Sequence, residues 1–171
     1  MRIGLLERSR LTEAAAVLAA SCVFDRADVV AAEKLFGPGP SSVPQALGAW
    51  VGEALVGVAA VAGNRVRVLA VVPAARRQGV GTALLEACVV AVREGGASTL
   101  RTLDQPGNYL APGVDERNVE AIGWLERRGW QRHGELRSNV RIDVRGNARV
   151  SVERAEALAA LARTRGYEVR R

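Results

Sequence analysis

The sequence predicts an α+β fold in which helices flank a central, mixed and mostly antiparallel twisted sheet. Three short segments within residues 45–72 are rich in apolar and β-branched residues, which is typical of strands. The 3.6-residue spacing of apolar side chains then indicates a helix from Val80. Another strand candidate follows at Thr99–Leu103, and a strand–helix–strand crossover of this length makes the two strands it joins parallel.

Length and composition favour one globular domain with a short appendage. The chain has 171 residues, of which 49% are hydrophobic and 25% charged, and this excludes a disordered polymer. No apolar run reaches the roughly 18 residues of a membrane helix, and the first ten residues lack the apolar core of a signal peptide. We therefore expect a soluble, cytoplasmic protein that is not bound to a membrane.

Metal and nucleic-acid chemistry are both disfavoured. His133 is the only histidine, and the scattered acidic residues offer no substitute cluster, so we expect no metal. Cys22 and Cys88 form either a disulfide or two buried thiols, and a cytoplasmic location favours thiols. The net charge of +6 comes from arginines spread along the chain, and only 4% of residues are aromatic. A nucleic-acid-binding protein is therefore the least favoured class.

The first half of the chain contains two helices followed by three strands. Thr12 is a candidate N-cap for the first helix, and the turn-forming segment 37–44 ends the second. Turns at Gly52-Glu53 and Gly63-Asn64 separate the strands, the first two of which form an antiparallel hairpin. In chain order, the expected elements are helices 11–20 and 28–36 and strands 45–51, 54–61 and 66–72.

The second half begins with the crossover and ends in an appendage. Gly95-Gly96 ends the helix that starts near Val80, and a loop with two prolines and two glycines spans 104–117. The remaining elements are strand 99–103, helix 118–128, strands 130–136 and 140–144, helix 152–165 and a strand-like end at 167–170. This division predicts a domain at 1–145 and a helix-strand appendage at 146–171.

The connection between the third strand and the next helix carries the clearest chemical signal. It reads Arg76-Arg77-Gln78-Gly79-Val80-Gly81-Thr82. The first backbone N–H groups of a helix have no partner within it, and two glycines let an anion approach the main chain closely. A dinucleotide-binding motif would need a third glycine where Leu84 stands, and a P-loop would need Gly-Lys-Ser/Thr. The turn therefore holds a phosphate in another way, or serves only as a tight turn.

In this context the sequence resembles the GNAT superfamily of N-acetyltransferases. Arg76-x-x-Gly79-x-Gly81 is similar to the family's acyl-CoA pyrophosphate loop, Arg/Gln-x-x-Gly-x-Gly/Ala. Asn118-x-x-Ala121, followed by Arg128-Gly129-Trp130, is similar to its Asn-x-x-Ala…Gly-Phe segment. The resemblance covers residues 1–144 in family order, and the extra tail is similar to the first domain of tandem GNAT proteins. It implies a GNAT-like fold with acetyl-CoA as co-substrate.

The resemblance also implies roles for individual residues. Backbone amides from Arg77 to Thr82 would hold the CoA pyrophosphate, and the strand end would pair with the pantetheine arm, often beside a β-bulge. Asn118 would contact the cofactor or, alternatively, cap its helix. Arg76 and Arg77 would touch phosphate or lie solvated. The implied cofactor-binding set is Val71, Val72, Arg76, Arg77, Gln78, Gly79, Val80, Gly81, Thr82 and Asn118.

The usual catalytic acid of the family is absent. In much of the family a tyrosine seven residues after the asparagine protonates the leaving thiolate, and here that position is Leu125. We predict Tyr109 and Asp115 as the catalytic residues, because the loop that carries them joins a strand end to the Asn118 helix. Their alternative roles are loop anchor and turn or cap residue. Cys88, His133 and water are weaker substitutes for the acid.

The resemblance implies an N-acetyltransferase that acts by direct attack of a primary amine of a small molecule or protein. Because Leu125 replaces the tyrosine and strand 66–72 has no acidic residue, the alternative is a non-catalytic acyl-CoA-binding or regulatory module. The acceptor would lie among the loops 21–28, 37–44 and 104–117. The tail either docks on its own core or pairs with a second subunit in a homodimer.

Overall fold

The computed structural model describes residues 1–39, 42–102, 113–132 and 145–168. The chain divides into two compact units, 1–134 and 135–171. The predicted domain boundary between residues 145 and 146 stays a prediction.

The first unit is built on a five-stranded sheet whose strands lie in sequence order. The pairs are antiparallel from the first strand to the fourth, and the fourth and fifth strands are parallel. This mixed, mostly antiparallel sheet confirms the predicted fold class. The strands are β1 Arg2–Leu5, β2 Gln45–Val51, β3 Ala54–Ala62, β4 Arg65–Val71 and β5 Arg101–Thr102.

Helices cover both faces of the sheet, and each face has its own apolar core. The α-helices of this unit are α1 Leu11–Ser21, α2 Ala31–Phe36, α3 Val80–Glu94 and α4 Val119–Glu126. On one face α1 and α2 pack against Val58 and Ala60 of β3. On the other face α3 buries Leu84 and Cys88 against the sheet, and Trp124 of α4 packs beside them. Because successive side chains of a strand point to opposite faces of the sheet, the sheet contributes apolar side chains to two separate cores.

A β-bulge in β4 places an arginine inside the protein. Ala60 of β3 pairs with Val68 and Val61 pairs with Val66, so Arg67 has no partner across the strand pair. The Arg67 side chain is only 1% exposed. Its guanidinium donates to the carbonyl oxygens of Gly37 at 2.6 Å and Glu33 at 3.1 Å, at the end of α2. A cation at a helix C-terminus is favourable, so the bulge fixes α2 on the sheet.

Several local expectations differ from the structure. The edge strand β1 is missing from the sequence prediction because its four residues, RIGL, are too few to show a period. The prediction of Thr12 as N-cap is wrong, since Arg10 occupies that position and makes no side-chain cap. Helix α2 starts at Ala31 rather than residue 28, because 28–30 form turns. Residues 130–132 are not in a strand, and the rest of predicted strands 130–136 and 140–144 lies outside the described residues.

The second unit contains a 3₁₀ turn at Ala148–Val150 and the helix α5 Val152–Thr164. The Ser151 side chain accepts a hydrogen bond from the Arg154 N–H at 3.2 Å and so caps α5. Tyr167 and Glu168 are not in a strand, and 169–171 lie outside the described residues. The homodimer and the cytoplasmic location stay predictions. Among the described residues, no helix is long and apolar enough to span a bilayer.

We predict that Arg67→Met lowers the free energy of unfolding by about 1–3 kcal/mol, because the buried Gly37 carbonyl loses its charged donor while the volume is kept. Arg67→Ala should cost about 2 kcal/mol more, since it also leaves a cavity. Urea unfolding measures both, with exposed Arg93→Met as the matched control. An Arg67→Met variant as stable as the wild type would show that the anchor does not stabilise the fold.

Candidate active site

The end of β4 presents backbone groups at the edge nearest β5. The N–H of Val72 donates to the Val56 carbonyl on β3 at 2.9 Å. Because successive residues of a strand direct their N–H and C=O groups to opposite edges, those of Val71 point away from β3. Among the described residues, β4 pairs with β5 only at Arg65 and Val66. An extended ligand arm could therefore be bound at this edge beside Val71.

The turn from β4 to α3 is fixed by its own backbone conformation. A 3₁₀ turn at Pro73–Ala75 starts it, and the Gln78 side chain donates to the Ala74 carbonyl at 2.9 Å. Arg77 has a φ of 61° and Gly79 a φ of 83°. Both lie in the left-handed region, where only glycine is free of steric cost. Gly79 is required at this turn because it lets α3 begin directly behind the strand.

The N-terminus of α3 has three unpaired donors. Its first helical hydrogen bond runs from the Ala83 N–H to the Gly79 carbonyl at 3.0 Å. The N–H groups of Val80, Gly81 and Thr82 therefore have no helical acceptor, and no side chain caps them. The first turn contains no acidic residue. These three amides and the positive end of the helix dipole form a site for an anion, which we call the amide cradle.

Arg76, the first residue of the motif, makes contacts that the sequence did not indicate. Its Nε donates to the Val71 carbonyl at 3.1 Å, and its terminal nitrogen donates to the Ser21 carbonyl at 3.3 Å. The guanidinium thus joins the end of β4 to the end of α1. The predicted phosphate contact of Arg76 stays a prediction, and these two bonds show a structural use of the same side chain.

Two side chains lie beside the cradle, Trp124 of α4 and Arg128 of the turn that follows α4. A Cβ added at Gly81 would lie 3.7 Å from both the Trp124 ring and the Val71 side chain, so α4 and β4 meet over this glycine. The Arg128 guanidinium lies 4.4 Å from the Trp124 ring centroid. It donates to the Thr82 hydroxyl at 2.8 Å and to the Trp124 carbonyl at 3.1 Å. The cradle is thereby bordered by a fixed positive charge.

Asn118 occupies the N-cap position of α4 but does not cap the helix with its side chain. Its backbone alone is engaged, with the N–H donating to the Asp115 carbonyl and the C=O accepting from the Ile122 N–H. The side chain is exposed. Of the two roles that the sequence left open for Asn118, a side-chain cap is thus absent, while cofactor contact stays a prediction.

Asp115 is paired so closely that it is a weak base. Its carboxylate accepts from the Arg117 backbone N–H at 2.9 Å and from two guanidinium nitrogens at 2.9 and 2.7 Å. These hydrogen bonds lower the pKa of Asp115 to about 2. A general base works best with a pKa near the operating pH. The predicted catalytic role of Asp115 stays untested, and the pairing favours a role in orienting Arg117, which also stacks on Phe24 at 4.5 Å.

An open cavity of about 270 Å³ lies in the α1–α2 loop. Its lining includes Cys22, Phe24, Asp25 and Asp28. The Asp25 carboxylate makes no hydrogen bond or ion pair with another described residue, whereas the Asp28 carboxylate pairs with Arg26 at 3.4 Å. Burial, and then the nearby Asp115 carboxylate, raise the pKa of Asp25. The cavity thus contains one unpaired carboxylate that would gain from a cationic ligand.

No described side chain replaces the missing tyrosine. Leu125 is half-buried and cannot donate a proton. Cys88 is a free thiol enclosed in the core on α3, and burial raises its pKa to about 12. Both cysteines are free thiols, as expected. Tyr109 and His133 lie outside the described residues, so the predicted role of Tyr109 stays a prediction.

Sequence reasoning missed Asp25 and Arg128. Asp25 is one of two aspartates in a turn and belongs to no motif, and Arg128 was identified only as part of Arg128-Gly129-Trp130, with no role for its side chain. The signal available for Arg128 was its spacing of four from Trp124, which places both on one side of a helical turn. Among the described residues, no group of three or more His, Cys, Asp or Glu side chains could hold a metal ion.

Comparisons with known proteins agree with this architecture. A family model for the acetyltransferase (GNAT) domain matches residues 45–132, a little more than half of the chain. The chain is similar to the solved aminoglycoside 6'-N-acetyltransferase from Acinetobacter haemolyticus, with 16% identity over 84% of this chain and 100% of that one, and a TM-score of 0.60. It is also similar to the ribosomal-protein-alanine N-acetyltransferase from Brucella melitensis, with 19% identity over 84% and 100% and a TM-score of 0.57.

A third similar structure is AAC(6')-Iy in complex with a bisubstrate analogue of CoA, with 11% identity over 83% of this chain and 98% of that one, and a TM-score of 0.60. At these identities the likeness shows a shared fold. None of the curated proteins matches the sequence.

We predict that Asp25→Asn stabilises the protein at pH 7, by less than about 1 kcal/mol because the side chain is partly solvated. The folded-state pKa of Asp25 is raised above its ordinary value of 3.8, so its charge carries a cost that is absent below pH 3.8 and develops as pH rises through the folded-state pKa. Thermal melts at pH 3 and pH 7 should show a gain only at pH 7. Asp28→Asn is the matched control and should show no gain, since Asp28 has an ion-pair partner. A lower melting temperature for Asp25→Asn at pH 7 would contradict the assignment.

Proposed function

The chain belongs to the GNAT family of acetyltransferases, and from that premise we propose that it transfers an acetyl group from acetyl-CoA to a primary amine of a small molecule or protein. The observation that carries the proposal is the amide cradle, an uncapped helix N-terminus directly behind a β-strand edge. No metal takes part in the proposed reaction.

The cradle fits the pyrophosphate of CoA in charge and in space. Val80, Gly81 and Thr82 provide three backbone donors, and the first turn of α3, to which they belong, contains no acidic residue. A Cβ at Gly79 would meet no atom within 4 Å, so the turn leaves open space on that side. Amides at a helix N-terminus bind phosphate oxygens without the desolvation cost of a buried cation. We therefore assign the pyrophosphate to residues 77–82.

The pantetheine arm fits the edge of β4. The Val71 N–H can donate to a carbonyl oxygen of the arm, while the Val71 carbonyl accepts from Arg76 and Val72 holds the strand end on β3. The exposed amide of Asn118 has donors and an acceptor that no described residue uses. We assign it a contact with the arm. When bound, acetyl-CoA supplies the acetyl thioester that the amine attacks.

The α1–α2 cavity is the proposed place for the amine. Asp25 presents a carboxylate without a partner, and Phe24 offers an aromatic face. A carboxylate of raised pKa both attracts an ammonium group and takes up its proton more readily than an ordinary aspartate. Arg76 connects this loop to the strand end through Ser21 and Val71. We infer that Asp25 receives the proton of the attacking amine, in place of the tightly paired Asp115.

Release of the thiolate has no acid among the described residues of α4. Leu125 cannot donate a proton, so the proton for the sulfur comes from solvent or from the 104–112 segment that includes Tyr109. A thiolate is a good leaving group and needs little help. The presence of Leu125 where the family has tyrosine is the one observation that favours the alternative function, a non-catalytic acyl-CoA-binding module.

The binding claim is tested at Gly81. We predict that Gly81→Glu weakens acetyl-CoA binding by at least about 100-fold, because a carboxylate within about 4 Å of the phosphates opposes them by several kcal/mol. The fold should persist, since the new Cβ meets only ordinary contacts at 3.7 Å and an acidic residue suits the first turn of a helix. Calorimetric titration measures the affinity, and a thermal melt checks the fold.

Gly81→Gln is the matched control, because it adds nearly the same volume without charge. It should weaken binding less than Gly81→Glu does. Equal affinity of the wild type and Gly81→Glu would remove the cradle from the site.

Transfer itself is tested by release of free CoA thiol from acetyl-CoA in the presence of polyamines, aminoglycosides and peptides with a free N-terminus. An amine-dependent rate that falls in both Gly81→Glu and Asp25→Asn supports the enzyme. Tight acetyl-CoA binding with no release from any amine would favour the non-catalytic module.

A further inference from the structure

Arg128 is held beside the amide cradle by contacts with Trp124 and Thr82. Its guanidinium is fixed on three sides, by the Trp124 ring at 4.4 Å, the Trp124 carbonyl at 3.1 Å and the Thr82 hydroxyl at 2.8 Å. Thr82 is the third residue of α3, and its own N–H is one of the three cradle donors. A charge on the turn after α4 is thus brought to the start of α3.

The charge of Arg128 is not neutralised within the described part of the chain. Its side chain is exposed and makes no ion pair there, unlike Arg117 and Arg132, which each hold a carboxylate. Two of its five N–H donors are used by the contacts to Thr82 and Trp124. The remaining three N–H groups are open to an anion. A guanidinium has the planar donor geometry that suits phosphate oxygens.

The two arginines that precede the cradle, Arg76 and Arg77, do not combine a fixed position with free donors. Arg76 donates to two backbone carbonyls, at Val71 and Ser21. Arg77 is exposed and has no side-chain hydrogen bond with another described residue, so its position is not fixed. Ordering a long side chain costs conformational entropy on binding, and the stacking on Trp124 has already met that cost for Arg128.

We propose that Arg128 is a phosphate-binding residue of the CoA site, in addition to the cofactor-binding residues that the sequence implies. The inference rests on the proposed function, since it takes CoA to be the ligand of the cradle. The phosphate is either the pyrophosphate or the 3′-phosphate of the ribose, and both present the same chemistry to a guanidinium.

The test is calorimetric titration of full-length wild type and Arg128→Gln with CoA and with dephospho-CoA, which lacks the 3′-phosphate. We expect Arg128→Gln to weaken CoA binding about tenfold, the usual loss for one hydrogen-bonded charge contact. Arg128→Lys keeps the charge but loses the fork geometry, and it should lose about threefold. Arg93→Gln, which removes one arginine about 20 Å away at the other end of α3, is the matched control and should retain wild-type affinity.

The pattern across the two ligands identifies the phosphate. A loss of equal size for CoA and dephospho-CoA assigns Arg128 to the pyrophosphate, and a loss confined to CoA assigns it to the 3′-phosphate. A purely structural role would instead make Arg128→Lys as weak as Arg128→Gln, because both lose the stacked guanidinium, and that result would overturn the proposal.

Two further outcomes separate this proposal from the proposed function. If Arg128→Gln binds CoA as tightly as the wild type while Gly81→Glu does not bind it, the role of Arg128 is overturned. The assignment of the cradle then still stands. An absence of CoA binding by the wild type would overturn both.

Discussion

The rest of the site depends on one constraint, which is that α3 must start directly behind the end of β4. Gly79 adopts the left-handed conformation from which α3 begins, and the first three amides of α3 have neither a helical acceptor nor a side-chain cap. Gln78 and Arg76 hold the same turn from two sides. The backbone therefore supplies the donors, and the surrounding residues determine what can approach them.

The bulge at Arg67 is the second element of this arrangement. An extra residue in β4 increases the local twist of the strand and shifts its register against β3. The buried guanidinium then fixes α2, and with it the α1–α2 loop that forms the cavity. The proposed cofactor side and the proposed acceptor side are thus organised from one strand, with Arg76 joining its end to α1 at Ser21.

Much of this framework could be predicted from the sequence, because long periodic segments and glycine turns determine it. The hairpin β2–β3, strand β4 and helix α3 follow from apolar patterns of seven or more residues, and Gly52 and Gly63 mark turns that do have positive φ. The motif at Gly79 and Gly81 identifies the cradle because the glycines reflect a local backbone need. The four-residue strand β1 has too little pattern to be found in this way.

The side-chain roles could not be predicted, because they depend on contacts between distant segments. Nothing near Asp115 in sequence reveals that Arg117 turns back to bind it in three hydrogen bonds. Asp25 gains its raised pKa from burial and from Asp115, 90 positions away in the chain. Arg128 meets Thr82 only because α4 packs against the start of α3. A backbone site such as the cradle can thus be predicted from one segment of sequence. The roles of charged and titratable side chains can be predicted only once the fold is known.

The central claim is that the first amides of α3 bind the phosphates of CoA, and an amide-resolved NMR titration of the ¹⁵N-labelled protein with CoA tests it most directly. The account predicts that the largest shifts fall on the N–H signals of Val80, Gly81 and Thr82, with smaller ones at the end of β4. Saturable binding that shifts signals elsewhere and leaves those three amides unchanged would contradict it.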